Sequence, residues 1–302
     1  MHRRIFIRNV GFLAGATLLT QKTVLASIFK KSPQSIRMLH SNVGIFTDRG
    51  GTIGFLLSKD GIVVIDSQFP DSAQKFMTEV KTQSESPIKY LLNTHHHGDH
   101  TGGNIAFKGI VEHVVAHENS LANQRRVAEG QNALDKTLLP DITFKEDWNL
   151  KMGNEKIKAD YFGPAHTNGD AVYHFDEANI THLGDLMFNR RHPVVDRSAG
   201  ANIGNWVKVL DKVLKKSHKD TLFIFGHSLK PGNETGSGED VKKFQDYLTK
   251  LLQFAEVEIN RGISKEDFAK NTTIPGVIEW EGNGQRAFTA AYEEIAEKLG
   301  KK

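Results

Sequence analysis

No cysteine occurs in the 302 residues. Disulfides and thiolate ligands are therefore excluded, and any metal site must use nitrogen and oxygen donors; the redox compartment stays undecided. Long apolar runs are missing as well. The stretch Val10 to Leu19 is diluted by Gly11, Ala14, Gly15 and Ala16, and it falls far short of the roughly 20 residues a membrane-spanning helix needs. A broad basic footprint is also absent. The formal charge is +3, but Arg3, Arg4, Arg8 and Lys22 place +4 in residues 1–26, which hold no acid, leaving the rest at −1. A near-neutral body argues against nucleic acid as a partner. No G-x-S-x-G elbow is present, so nothing marks a serine nucleophile. What remains, with 38% hydrophobic and 25% charged residues, is the composition of an ordinary folded domain.

The N-terminal charge belongs to a recognisable pattern. Arg3-Arg4-Ile5-Phe6-Ile7-Arg8 precedes the mild apolar stretch, and Val24-Leu25-Ala26 offers a small residue for cleavage. Residues 1–26 are expected to be a twin-arginine export signal, which implies a periplasmic protein with no membrane anchor after processing. The alternative, an anchor that is never removed, is disfavoured by its length. Beyond an irregular leader at 27–35, short β-like runs recur at Ile36 to Leu39, Gly44 to Thr47, Thr52 to Leu57 and Ile62 to Asp66, with Gly50-Gly51 and Lys59-Asp60-Gly61 as turns. Helical spacing of Ala73, Phe76 and Val80 predicts a helix over 71–84. Tyr90-Leu91-Leu92 and Val111 to Val115 read as strands, and 118–139 reads as a polar helix. A second β-rich run covers 142–183, Trp206 to Leu214 has helical spacing, Leu222 to Phe225 is a strand, and 239–258 and 285–299 are helices. The pattern predicts an α/β (α+β) protein with two sheets face to face and helices outside. The domain division is 27–238 as the core and 239–302 as a helical extension on the same domain, capping it or mediating a dimer.

The chemistry concentrates at Asn93-Thr94-His95-His96-His97-Gly98-Asp99-His100. In an extended chain, residues two apart share a side, so His95 and His97 can meet one metal while His96 faces away in a structural role. A turn at Gly98 then presents Asp99 and His100 to a second position. Imidazole and carboxylate suit zinc, and manganese or iron as alternatives. Three further candidates each end a β-run beside or near glycine: His166 in Gly163-Pro164-Ala165-His166-Thr167-Asn168-Gly169-Asp170, Asp185 after Gly184, and His227 after Gly226. His113, His117, His174, His182, His192 and His218 match no motif.

With Asp66 after a strand, the HxHxDH cluster, His166, Asp185 and His227 in this order, the chain over roughly 36–230 resembles the metallo-β-lactamase superfamily. The resemblance implies an αββα sandwich with a metal pair at one edge. It assigns His95, His97 and His166 to the first metal, Asp99, His100 and His227 to the second, and Asp185 as a bridge. It makes Asp66 a brace behind the ligands, with Thr167 and Asp170 supporting too, because metal-bound imidazoles donate their free N–H to a carboxylate or carbonyl. Such a centre acidifies a water from about 15.7 toward 7 and polarises the substrate. Asp99 would orient that water and pass its proton to the leaving atom. Where the best-known subclass of zinc β-lactamases carries cysteine, this chain has Asp185, which is closer to the glyoxalase II and lactonase branch.

The expected activity is hydrolysis of a small carbonyl substrate: an ester, lactone, thioester or amide, with β-lactams in doubt. The alternatives are a phosphodiesterase or nuclease of the same superfamily, or a metal-binding protein without catalysis. Residues 118–150 read as a lid or pocket wall. Tyr161, Phe162, Phe188, Asn189, Arg190, Arg191 and His192 are candidates for the pocket lining, with Arg190 or Arg191 holding a substrate carboxylate or forming a solvated basic turn.

Overall fold

The architecture comes from a computed structural model that describes residues 35–301. The segment read as an export signal lies outside the described residues. The first sheet has seven strands in sequence order: β1 (Ile36–His40), β2 (Val43–Phe46), β3 (Ile53–Ser58), β4 (Gly61–Ile65), β5 (Ile88–Leu92), β6 (His113–His117) and β7 (Ile142–Phe144). β1 to β4 form an antiparallel meander, and β4 to β7 pair in parallel. The three parallel steps need crossovers: helix α1 (Pro70–Val80) supplies the first, the short helical turns Gly98–Thr101 and Gly102–Phe107 the second, and helix α2 (Glu118–Gly130) the third. The second sheet runs β15-β13-β11-β10-β9-β8, from β8 (Asp147–Met152), β9 (Glu155–Tyr161), β10 (Ala171–Phe175), β11 (Ile180–His182), β13 (Leu222–Ile224) and β15 (Thr235–Gly236). The two-residue strands β12 (Phe188–Asn189) and β14 (His227–Ser228) pair separately.

Alternation along the strands builds the layers. Side chains two apart share a face, so Val63 and Ile65 of β4 join Val43, Ile45, Leu92 and Val115 against Tyr173, Phe175, Ile180 and Ile224 of the second sheet. Ile62 and Val64 point the other way, into a layer with Phe46, Phe55 and the α1 residues Phe76 and Val80. On the far side, Phe223 and Phe225 pack under helix α3 (Ile203–Lys216), helix α4 (Gly238–Asn260) and helix α5 (Gln285–Lys298). The expected αββα sandwich is present. The helices beyond 238 enter the same apolar core as α3, through Phe244, Tyr247, Leu248, Leu251, Ala287 and Phe288. Among the described residues, no helix is long and apolar enough to cross a membrane.

Two sequence-based boundaries shift. The helix predicted over 71–84 ends at Val80, where the chain turns toward Pro87 and β5. The helix predicted over 118–139 ends at Gly130, because Asn132 takes a left-handed φ of 50° and a separate short turn, Leu134–Lys136, follows. The reading of 118–150 as a lid is corrected. The segment holds α2, β7 and the start of β8, and α2 faces the chain after His166 with polar groups: Asn119 Nδ2 donates to Asn168 O at 2.8 Å, and Asn123 Nδ2 to Asn168 Oδ1 at 2.8 Å.

Candidate metal centre

Every candidate ligand follows the C-terminal end of a strand. β5 delivers residues 95–100, β9 leads into the loop that carries His166, β11 runs into Asp185, and β13 runs into His227. Two groups of ligand atoms hold the sequence candidates, His95, His97, His166 and Asp185, and Asp99, His100 and His227; a third group, His96, His97 and Asp196, shares His97 with the first. All seven sequence candidates thus come together.

The hydrogen bonds behind the rings fix which nitrogen faces inward. His97 Nε2–H donates to Asp196 Oδ2 (3.0 Å) and His166 Nδ1–H to Val194 O (2.8 Å). His100 Nδ1–H donates to Asp66 Oδ2 (2.8 Å). Thr94 Oγ1 donates to Asp66 Oδ2 (2.7 Å), so it accepts from His95 Nδ1–H at 3.0 Å. The inward nitrogens of His95, His97 and His166 therefore carry lone pairs. His97 Nδ1 lies 3.1 Å from His95 Nε2 and 2.9 Å from His166 Nε2. Three lone pairs converging at this range repel unless a cation lies among them, so the donor set fits a metal.

Asp185 stands between the groups. Its Oδ2 is 3.4 Å from His166 Nε2 and 3.8 Å from His95 Nε2, while Oδ1 is 3.0 Å from His100 Nε2 and 3.4 Å from His227 Nε2. Oδ1 is buried with no hydrogen-bond donor, an orphan that a second cation would satisfy. His227 Nε2 also lies 3.1 Å from Asp99 Oδ2. The second group thus presents two imidazoles and two carboxylates, a set of hard and borderline donors suited to zinc.

Proton affinities follow the same charge pattern. Burial opposes charge on His227, but Asp185 and Asp99 outweigh it and raise its pKa to about 9. Burial likewise opposes charge on His100, and Asp185 and Asp66 overcome it, raising that pKa well above the usual value. In the first group, burial dominates: His166 falls to about 3 and His95 well below its usual value, helped by the neighbouring His100. Burial tends to raise Asp99, yet His227 and His100 hold it at about 2.

The supporting residues divide. Asp66, fully buried with a left-handed φ of 63°, receives Thr94 N–H at 2.8 Å and steers His100 directly and His95 through Thr94. The expectation that Thr167 or Asp170 would receive an imidazole N–H is corrected. The His166 N–H goes to Val194 O, and Thr167 and Asp170 bond each other (2.7 and 2.8 Å), tightening the turn that carries the ring. Burial pushes Asp170 up to about 7 despite those two donations. Gly226 leaves room for the bridge, because a Cβ there would collide with Asp185 Oδ1.

Asp196 was not legible as a site residue. It sits on an irregular turn, and its partner His97 is distant in sequence. Hydrogen bonds from His96 and His97 hold its carboxyl far below the usual range. His96 belongs to neither of the two groups that hold the sequence candidates, but it joins His97 and Asp196 in the third, with its Nε2 3.5 Å from the same Asp196 Oδ2. A feature that marks the position is the capping contact of Asp196 Oδ1 with Ala199 N, at 3.1 Å.

The proposed pocket lining also changes. Arg190 is neither a carboxylate clamp nor a solvated turn: it pairs with Glu279 at 3.2 Å and lies 4.7 Å above the Trp280 ring. Arg191 is exposed and bridges Glu281 through the backbone. His192 is buried between Tyr247 OH (2.8 Å) and Thr272 O (3.1 Å), and Asn189 donates to Asn233 O at 3.0 Å. Tyr161 stacks on His117 at 3.9 Å, and Phe162 packs against the α3 core. Phe188 packs against two ligands, stacking on His227 at 5.3 Å and lying 5.7 Å from His166.

Residues 46–227 match a family model described as the Metallo-beta-lactamase superfamily. A metallo-beta-lactamase type 2 of Bacillus cereus is 28% identical over 204 residues, spanning 64% of this chain and 76% of its own. A probable hydroxyacylglutathione hydrolase of Schizosaccharomyces pombe is 26% identical over 212 residues, spanning 68% and 75%. Among solved structures, the metallo-beta-lactamase from Pontibacter korlensis aligns with TM-score 0.57 at 21% identity, over 71% of this chain and 98% of that one. The inverting sec-alkylsulfatase Pisa1 from Pseudomonas sp. aligns with TM-score 0.65 at 16% identity, over 86% of this chain and 50% of that one. At these identities the two structures bear on fold alone.

Proposed function

Because this chain belongs to the metallo-beta-lactamase superfamily, whose members are metal-dependent hydrolases, we propose that it is a two-zinc hydrolase of a small carbonyl substrate: an ester, lactone, thioester or amide. The observation that carries the reading is Asp185, whose two oxygens face different ligand groups, Oδ2 toward His166 and Oδ1 toward His100. When bound, two such cations supply a water acidified toward neutrality and a Lewis acid for the substrate oxygen. His95, His97 and His166 would hold the first, and Asp99, His100 and His227 the second.

The chain's own residues do the rest. Asp66, Asp196 and Val194 O lock the imidazoles by their outer N–H groups, so the ligands need little reorganisation. The open side is marked by Asp99, with 33% of its side chain exposed, while His100 and His166 have none. Asp99 is thus an ionised carboxylate within reach of solvent and substrate, placed to take a proton from the attacking water and return it to the leaving atom. An oxygen ligand at 185, in a chain without cysteine, favours esters, lactones and thioesters over β-lactams.

The test is metal analysis together with a chromogenic panel of esters, lactones, thioesters, β-lactams and bis-nitrophenyl phosphate. The expected result is two zinc ions per chain and carbonyl hydrolysis that a chelator abolishes and zinc restores. Turnover of the phosphodiester alone would sink the carbonyl assignment.

A further inference from the structure

We infer that His182, which belongs to no ligand motif, is a positioning residue for the second ligand group. The inference rests on the reading of Asp99, His100, His227 and Asp185 as holders of a second cation.

His182 closes a ring of hydrogen bonds that runs between the two sheets. Its Nε2–H donates to Thr52 O at 3.0 Å. Thr52 N–H donates to Gly226 O at 2.9 Å, Gly226 N–H donates to Gly184 O at 2.8 Å, and Gly184 N–H donates back to His182 Nδ1 at 3.1 Å. Each member stands one step from the site. Gly184 precedes Asp185 and Gly226 precedes His227. Thr52 follows Gly51, whose N–H donates to Asp99 O at 3.0 Å. The ring therefore fixes the backbones that carry Asp185, His227 and Asp99 relative to one another. Of the first group, only Asp185, which both groups share, adjoins a member of the ring in sequence.

An imidazole in a single tautomer donates one of these two hydrogen bonds and accepts the other while filling the space between the sheets. His182 is fully buried, and β3 accommodates it with Gly54, where a Cβ would lie 2.6 Å from His182 Cδ2. An apolar ring here would strand Gly184 N–H without a partner, at the residue next to the bridging carboxylate.

Cobalt titration of the full chain, read by its visible spectrum and by chelator competition, tests this with wild type, His182→Phe and His182→Asn. Asn keeps an acceptor for Gly184 N–H and loses the donor to Thr52. Wild type should take two cobalt ions. The Phe variant should weaken the first only slightly, through the shared Asp185, and the second on the order of 10- to 100-fold, with a changed spectrum for the second equivalent. The Asn variant should lie between. Wild-type affinity at both sites in the variants, or equal weakening of both sites, overturns the inference, since a merely structural role would not single out the second cation. Should the Phe variant fail to fold, a folded Asn variant decides by the same criterion. A wild type that takes a single cobalt ion overturns the two-metal reading itself, and this inference with it, before any variant is examined.

Discussion

Asp196 and Asp185 show two ways in which one carboxylate sets the behaviour of several imidazoles. Asp196 takes the outer N–H of His97 at 3.0 Å and lies 3.5 Å from His96 Nε2, so it fixes the tautomer of a ligand without facing the metal position. Asp196→Asn keeps an oxygen for the turn at Ala199 but removes the charge. It should weaken the first cation about tenfold with little change in melting temperature, as read by chelator competition. His96→Ala removes only the second donor to Asp196 and should leave metal content intact, whereas His97→Ala should lose the first cation. Equal loss in both alanine variants would contradict the assignment of His97 Nδ1 as the ligand atom. Asp185 sits between the two groups and offsets the mutual repulsion of two cations. Asp185→Ala should stay folded by circular dichroism, lose the second cation and lose most hydrolysis. Retention of both cations would remove Asp185 as the bridge.

At the scale of elements, the site is made by strand ends that stop where a ligand is needed. β11 ends at His182 and β13 at Ile224, and the short chain after each turns a ligand toward the other sheet. Gly226 is the tightest of these approaches. Gly226→Ala would drive a methyl group into Asp185 Oδ1; the expected outcome is a folded protein with the second cation weakened more than the first, measured by metal content after dialysis. These strand ends explain what the sequence made legible. HxHxDH is local, and His166, Asp185 and His227 each follow a short apolar run with glycine close by, so the pattern could be read without contacts. The sandwich was legible for the same reason, because alternating apolar positions in β3, β4, β9 and β10 point to two buried faces. Asp196 was hidden because its partner is brought in by tertiary packing alone. His182 was hidden because its role is a ring of backbone bonds. Helix α2 was misread as part of a lid because its packing face is polar: Asn123 bonds Asn168 and Gln124 bonds Asn93, at 2.8 and 3.2 Å. Arg190 was misread because its partners, Glu279 and Trp280, lie far along the chain.

For the whole molecule, the export reading and the extent of the folding unit make separate predictions. Residues 1–26 are proposed to be removed on twin-arginine export to the periplasm, so intact mass of periplasmic protein should lack them, and replacing Arg3 and Arg4 by lysine should hold the precursor in the cytoplasm; Met1 on the mature soluble protein would count against it. The helices after 238 raise the second question. Phe244 packs 5.6 Å from Trp206 and 6.3 Å from Phe188, and Phe188 stacks on His227. Trp206 in turn donates its indole N–H to Leu186 O at 3.1 Å, pinning the turn that follows Asp185. Removing 239–302 would expose Trp206, Phe188, Leu210, Val213 and Phe223, which all lie in that shared core. Each such side chain contributes about 1.5–3 kcal/mol when buried, so losing several together is comparable to the roughly 5–15 kcal/mol of net stability of a typical domain. A chain ending at 238 should therefore be insoluble or unfolded by near-ultraviolet circular dichroism, even though it retains every candidate ligand. A soluble, two-metal chain ending at 238 would show that the last helices are an accessory layer and that Phe188 and His227 hold their places without them.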